Sequence, residues 1–148
     1  MTDANIVAAN AATGRYFAVA DILHTQPMNP LVTGSGASAG QDARNYGMTL
    51  AAMSKYAQSE GMSSSSAMVT LLMNDAADGV MNGRNGAGQI SMSMGGMMGG
   101  SMMSPSAGTS GLAGAMTGFM NSNMNASGMT PAEMASLIQT LANSSGQL

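Results

Sequence analysis

The chain has 148 residues, a formal net charge of −3 and only 7% charged residues, far below the roughly 25% usual for soluble domains. Arg15, Arg44, Lys55 and Arg84 stand singly against seven acids, so no basic patch exists to neutralise phosphates and nucleic-acid binding is disfavoured. The absence of cysteine removes disulfides, thiolate metal sites and cysteine nucleophiles together, and no apolar run of about 18 residues is present to span a bilayer.

The apolar fraction of 45% is ordinary, but it is made of 19 Met with two Phe, three Tyr and no Trp. Thioethers fill irregular gaps without specifying one packing, so the interior is expected to be plastic. Thr2 or Asp3 can cap a first helix, with Ile6, Ala9, Thr13 and Phe17 on its inner face and Val7 and Tyr16 beside them. Gly14 weakens it, Asp21–Leu23 can form a short turn, and Pro27 with Pro30 ends regular structure. Residues 32–40, VTGSGASAG, read as a flexible loop.

A second helix is predicted over Gln41–Ser59. Tyr46, Leu50, Met53 and Ala57 step by four, three and four and form its stripe. Gly61 stops it, and the serines at 63–66 offer caps for a third helix that buries Met68, Leu71, Leu72 and Ala76 before Asp78-Gly79 closes it. Glycine and methionine then replace helical periodicity across residues 79–108. Thr109 or Ser110 starts a fourth helix with Leu112, Met116, Phe119 and Met120 inward. A fifth begins at Thr130, with Pro131 in the first position, Glu133 completing a capping box and Met129 stapled onto Met134. Leu137, Ile138 and Leu141 continue its stripe to Gly146.

The expected fold is therefore all-α: one domain over residues 1–148, a four- to five-helix bundle of helical hairpins with a Gly/Met-rich central loop. Residues 1–78 form the first cluster, 79–108 the loop and 109–148 the second cluster. The run Ala52–Ser59 also aligns with Ala115–Ser122, as a duplicated hairpin would.

Three groups of residues carry possible chemistry. Met92, Met94, Met97, Met98, Met102 and Met103 lie on a glycine-rich backbone, and thioether sulfur selects Cu(I) among biological metals. Against a copper site stands the abundance of methionine in the helices themselves, where it serves packing. The run Asp75–Gly83 has the oxygen ligands and glycines of a calcium loop. Counted from Asp78, however, position three is Val80 and position twelve is Gln89, so the loop fails, and a helix end followed by a Gly/Asn turn explains it better. His24 is the only histidine, with Asp21 one turn upstream as an orienting acid, but no serine sits in a nucleophile-elbow sequence. No enzyme activity is expected.

The runs ANAATGRYFAVADILHTQPMNPL within residues 5–31, DARNYGMTLAAMSKY at 42–56, NDAADGVMNG, and AGTSGLAGAMTGFMNS together resemble an alanine-rich helical module. That module belongs to secreted surface proteins and lipoproteins of environmental, metal-reducing type bacteria, where it often follows carboxypeptidase-regulatory-like, immunoglobulin-like domains. The resemblance implies a non-catalytic structural or interaction module without cofactor, at the cell surface or outside the cell. Its partners would be neighbouring domains or other surface proteins. Met1–Asn5 lacks the basic start and apolar core of a signal peptide, so the chain is expected to be either cytoplasmic or, as the resemblance implies, a fragment of an exported protein. A low-charge surface also resists association weakly, which leaves a self-assembling structural subunit as a further alternative beside the Cu(I) reading.

Overall fold

The computed structural model describes residues 2–86, 88–92, 102–103 and 109–148. It is mostly helical: α1 (Asp3–Tyr16), the short α2 (Ser35–Ser38), α3 (Gln41–Ser59), α4 (Ser65–Asp75), α5 (Ser110–Met120) and α6 (Ala135–Asn143). A 3-10 turn at Ala76–Asp78 follows α4, and β1 (Arg84–Asn85) pairs antiparallel with β2 (Gly88–Gln89). Helix α3 packs against both α4 and α5, and α5 packs against α6. Among the described residues no helix is long and apolar enough to cross a membrane.

Methionine does fill this interior. Met48, Met68, Met116 and Met134 are among the most completely buried side chains, together with Leu112 and Leu141. The α5 face is the one the sequence predicts, with Leu112, Met116, Phe119 and Met120 all buried. In α4, Ser64 caps the first turn through its hydroxyl, which accepts from the Ala67 amide at 3.3 Å, and Met68, Leu71 and Leu72 point inward.

Other faces differ from expectation. In α1 the Thr2 cap forms, its hydroxyl accepting from the Asn5 amide, but Ile6 and Val7 are exposed and only Gly14 and Tyr16 of the helix are buried. The helix is anchored by its C-terminal end. There Tyr16 shares a buried hydrogen bond of 3.0 Å with Thr109 at the start of α5, and its ring meets that of Phe17 edge to face at 5.2 Å. Gly14 has a packing role at this end: a Cβ there would overlap the Val19 carbonyl.

In α3 the boundaries match, but the buried face is Asn45, Gly47, Met48, Thr49, Ala52, Tyr56 and Ala57. Of the predicted stripe only Ala57 is buried; Tyr46 and Met53 are half-buried and Leu50 is exposed. Asn45 is inward because its side-chain amide donates to the Ala18 carbonyl at 2.6 Å, holding Ala18 in the left-handed region at φ 53°.

Residues 32–40 are ordered and include α2. The Gly34 and Gly36 amides donate to the Ala126 and Ser127 carbonyls, and Gly36 lies so close to Met129 that a side chain there would displace it. Helix α6 starts later than Thr130. Residues 130–135 instead make i to i+3 backbone bonds, and only half of the capping box forms: the Glu133 carboxylate accepts from the Thr130 amide at 2.7 Å and from the Thr130 hydroxyl at 2.9 Å. The described parts of the central segment carry the β1–β2 hairpin and a Ser91–Met102 bridge, and the C-terminus returns to pair Gln147 with Val80.

One close approach shapes the surface. The segment 27–31 crosses α3 with the Met28 amide donating to the Ala43 carbonyl at 2.9 Å, and the Met28 carbonyl occupies the space a Cβ of residue 47 would need. Only glycine allows a backbone to come this near a helix. Gly47→Ala should therefore lower stability by about 1–3 kcal/mol, the usual cost of overpacking a filled site, read as a lower urea midpoint. Thr49 has the opposite sign: its hydroxyl is buried without a hydrogen-bond partner among the described residues. Thr49→Val should raise stability by about 1 kcal/mol by removing that desolvated group.

Candidate functional site

Where the 27–31 segment crosses α3 it leaves an open groove of about 430 Å³, within the usual size range of ligand clefts. Its floor is one face of α3, with Gly47, Leu50, Ala51, Ser54, Lys55 and Gln58 at helical spacing. One wall is Pro27–Leu31, and Phe119 and Met124 complete the lining. The prolines end regular structure, and the wall is fixed at both ends: by the Met28–Ala43 bond, and by the Ala126 amide donating to the Pro30 carbonyl at 2.9 Å. Between them the Asn29 side chain accepts from the Leu31 amide and its carbonyl accepts from the Ser35 hydroxyl.

The lining is largely apolar, and three of its large side chains stand in solvent: Leu31 is 58% exposed, Leu50 40% and Met124 52%. Such contiguous exposure marks contact sites. Lys55 is the only charged residue among the described residues of the lining, and its ammonium donates to the Gln58 side chain at 2.9 Å. The helical stripe of the sequence assigns Leu50 to the core, whereas the structure sets it at this surface. The available signal was Pro27 and Pro30 three residues apart, followed by a helix whose Gly47 allows close approach.

The methionine group divides. Ser91 pairs with Met102, and the Met103 amide donates to the Ile90 carbonyl at 2.8 Å. Because side chains alternate along paired strands, Ile90, Met92 and Met103 share a buried face while Ser91 and Met102 are exposed. The structure thus brings Met92 and Met103 together in the core and turns Met102 to solvent. Met94, Met97 and Met98 lie outside the described residues. Among the described residues, no three His, Asp or Glu side chains are grouped as a cation site.

The run Asp75–Gly83 is a helix end and turn, closed by Gly79, but it also holds a feature that spacing did not reveal. Asp75 is only 1% exposed. One of its carboxylate oxygens accepts from the amides of Asn82, Gly83 and Arg84 at 3.0, 2.7 and 3.1 Å. Burial pushes its pKa above the ordinary value; the three amides oppose that shift, and the like charge of Asp78 adds to it. The nearby Tyr56 hydroxyl is also pushed up, by burial first and then by Glu60 and Asp75. Successive amides around a carboxylate fix loop geometry, and here they tie the end of α4 to the β1–β2 hairpin.

His24 and Asp21 do pair, at 2.7 Å, and the Asp21 pKa is lowered by hydrogen bonds from His24 and Asn10. Both groups stand on an exposed turn, where water screens the pair. The Asn10 side chain donates to Asp21 and accepts from the Ile22 amide, so this cluster serves to fasten the turn to α1. No protein-family model, curated protein or solved structure matches the chain.

Asp75→Ala should cost about 2–3 kcal/mol, because three amides lose their buried acceptor, whereas Asp75→Asn should cost less. The pH dependence has a definite sign. A carboxyl whose folded pKa lies above its unfolded one binds its proton more tightly in the fold, so stability rises as pH falls from the raised value toward the ordinary 3.8. Urea titrations across that window should show the wild type gaining on Asp75→Asn as pH falls. A difference that ran the other way would mean the amide cradle outweighs burial.

Proposed function

We propose that the chain is a non-catalytic structural or interaction module of a bacterial secreted or cell-surface protein, and that the groove beside α3 is its contact surface. The observation that carries the reading is the group of Leu31, Leu50 and Met124, large apolar side chains held exposed around an open cleft. Leaving apolar area in water forgoes about 25 cal/mol per Å², which a partner laid into the cleft would recover. Its walls are fixed by backbone hydrogen bonds, so little ordering cost opposes binding.

The frame is a bundle of helical hairpins, α3–α4 and α5–α6, with polar uncharged residues on its outer faces. Its role is passive: it holds the cleft open and presents it. The placement at the bacterial surface rests on the resemblance of the sequence, and the scarcity of charge accords with contacts made by shape and apolar area.

The neutral solvatochromic dye Nile red tests the surface directly. The folded chain should bind it saturably, and Leu50→Lys, which sets a second cation in the floor, should weaken binding about tenfold, a change of about 1.4 kcal/mol, with unchanged near-ultraviolet circular dichroism. Equal binding by wild type and Leu50→Lys would remove the groove from the account.

A further inference from the structure

The α3 floor of the groove is segregated along its length. Gly47, Leu50 and Ala51 form its first half, and Ser54, Lys55 and Gln58 its second, all on one helix face by their spacing. A chain laid along this floor meets apolar atoms at one end and polar ones at the other.

The polar end offers donors. Three acceptors on the wall are already in use: the Asn29 side-chain oxygen takes the Leu31 amide, the Asn29 carbonyl the Ser35 hydroxyl, and the Pro30 carbonyl the Ala126 amide. The Gln58 oxygen takes a proton of the Lys55 ammonium. The other ammonium protons, the Gln58 amide group and the Ser54 hydroxyl have no hydrogen-bond partner among the described residues. Lys55 is half-buried, and no ion pair holds it among the described residues. Glu60 shares with it the neighbouring hollow between α3 and α5, yet forms no ion pair with it.

We propose that the groove binds a small amphiphilic carboxylate, a medium-chain acyl anion such as decanoate, with its head at Lys55 and Gln58 and its tail along Ala51 and Leu50 toward Gly47. The inference rests on the groove being a contact surface and names what it contacts. Size comes first: about 430 Å³ is the volume of a small-ligand cleft, and the floor from Gly47 to Lys55 runs about 12 Å, the scale of an extended medium-length chain. Charge narrows the choice. One cation matches one negative charge, whereas an anionic membrane surface calls for a cluster of cations, which the described lining lacks. No carboxylate stands among the described lining residues, so an amphiphilic cation would meet only the like charge of Lys55. A neutral chain would strip water from that ammonium and return nothing, while a carboxylate replaces the water with a charge-assisted hydrogen bond. Burial of the tail supplies affinity, and the head supplies selection.

Displacement of Nile red by decanoate, decanol and decyltrimethylammonium, each below its micelle concentration, tests the proposal. The three share a chain length and differ in head charge. On the wild type decanoate should compete at least about tenfold more strongly than decanol, with decyltrimethylammonium the weakest. The decanoate-to-decanol ratio within one protein is the readout, so a general change in groove affinity does not mimic it. Lys55→Gln should bring the ratio to within about twofold, Lys55→Arg should keep it, and Lys55→Glu should reverse the order of decanoate and decyltrimethylammonium. Equal competition by decanoate and decanol on the wild type, or a ratio that survives Lys55→Gln, would overturn the proposal. So would binding to phosphatidylglycerol vesicles, or mass that grows with concentration, without a preference for decanoate; these would assign the groove to a membrane or to a second copy. If the wild type binds Nile red saturably and Leu50→Lys weakens it while decanoate has no advantage, the contact surface stands and only its ligand is wrong. If the wild type binds no dye and calorimetry detects no decanoate binding, both readings fail.

Discussion

The seating of the Met28 backbone on the bare Gly47 position of α3 governs the rest of the surface. A helix normally meets a neighbouring chain across a layer of side chains, with axes 8–10 Å apart; here the missing Cβ lets a peptide carbonyl lie where that layer would be. The Met28 amide is satisfied by the Ala43 carbonyl in the same approach, so the segment is both sterically and electrostatically held. Its consequence is geometric. With the 27–31 segment pinned along one edge of α3, Leu50 is left beside a cleft and not beneath a layer, and the α3 face beyond Gly47 becomes a floor.

Around that constraint the core is assembled from adaptable parts. Thioethers at Met48, Met68, Met116 and Met134 fill the spaces between α3, α4, α5 and α6, and rigid rings supply fixed anchors among them. Tyr16 is one, reaching Thr109 across a separation of 93 residues. Such plastic filler packs without dictating a unique arrangement. Specificity comes from a few directed polar contacts: Asn45 on the Ala18 carbonyl, Asp75 on three amides, and the backbone bonds that draw Gly146 and Leu148 onto residues 79–81.

Much of the helical layout was legible in the sequence. Gly40 and Gly61 bracket α3, Ser64 caps α4, and α5 buries the side chains its period assigns. The face of α3 was not legible. The sequence stripe weighted side-chain size, whereas this helix is covered on several sides and turns Gly47, Thr49 and Ala52 inward with Met48, leaving Leu50 out. The α1 face failed for a related reason: Ile6 and Val7 have the right period but no neighbour among the described residues covers them. At Thr130 the capping signal was real in chemistry, since Glu133 does reach the Thr130 amide, but it closed a turn with i to i+3 bonds before the helix proper. The Asp75 cradle depends on a loop folding back by seven to nine residues, which no local pattern encodes, and the groove depends on which residue lies beneath Met28.

Native-state amide hydrogen exchange at Met28 tests most directly whether the groove is built into the fold. If the seating on Gly47 is permanent, the Met28 amide exchanges only through openings of α3 itself, and its protection falls within about tenfold of that of the central α3 amides. Exchange at the rate of an unstructured peptide, with α3 still protected, would show a wall that comes and goes and would contradict a preformed contact surface.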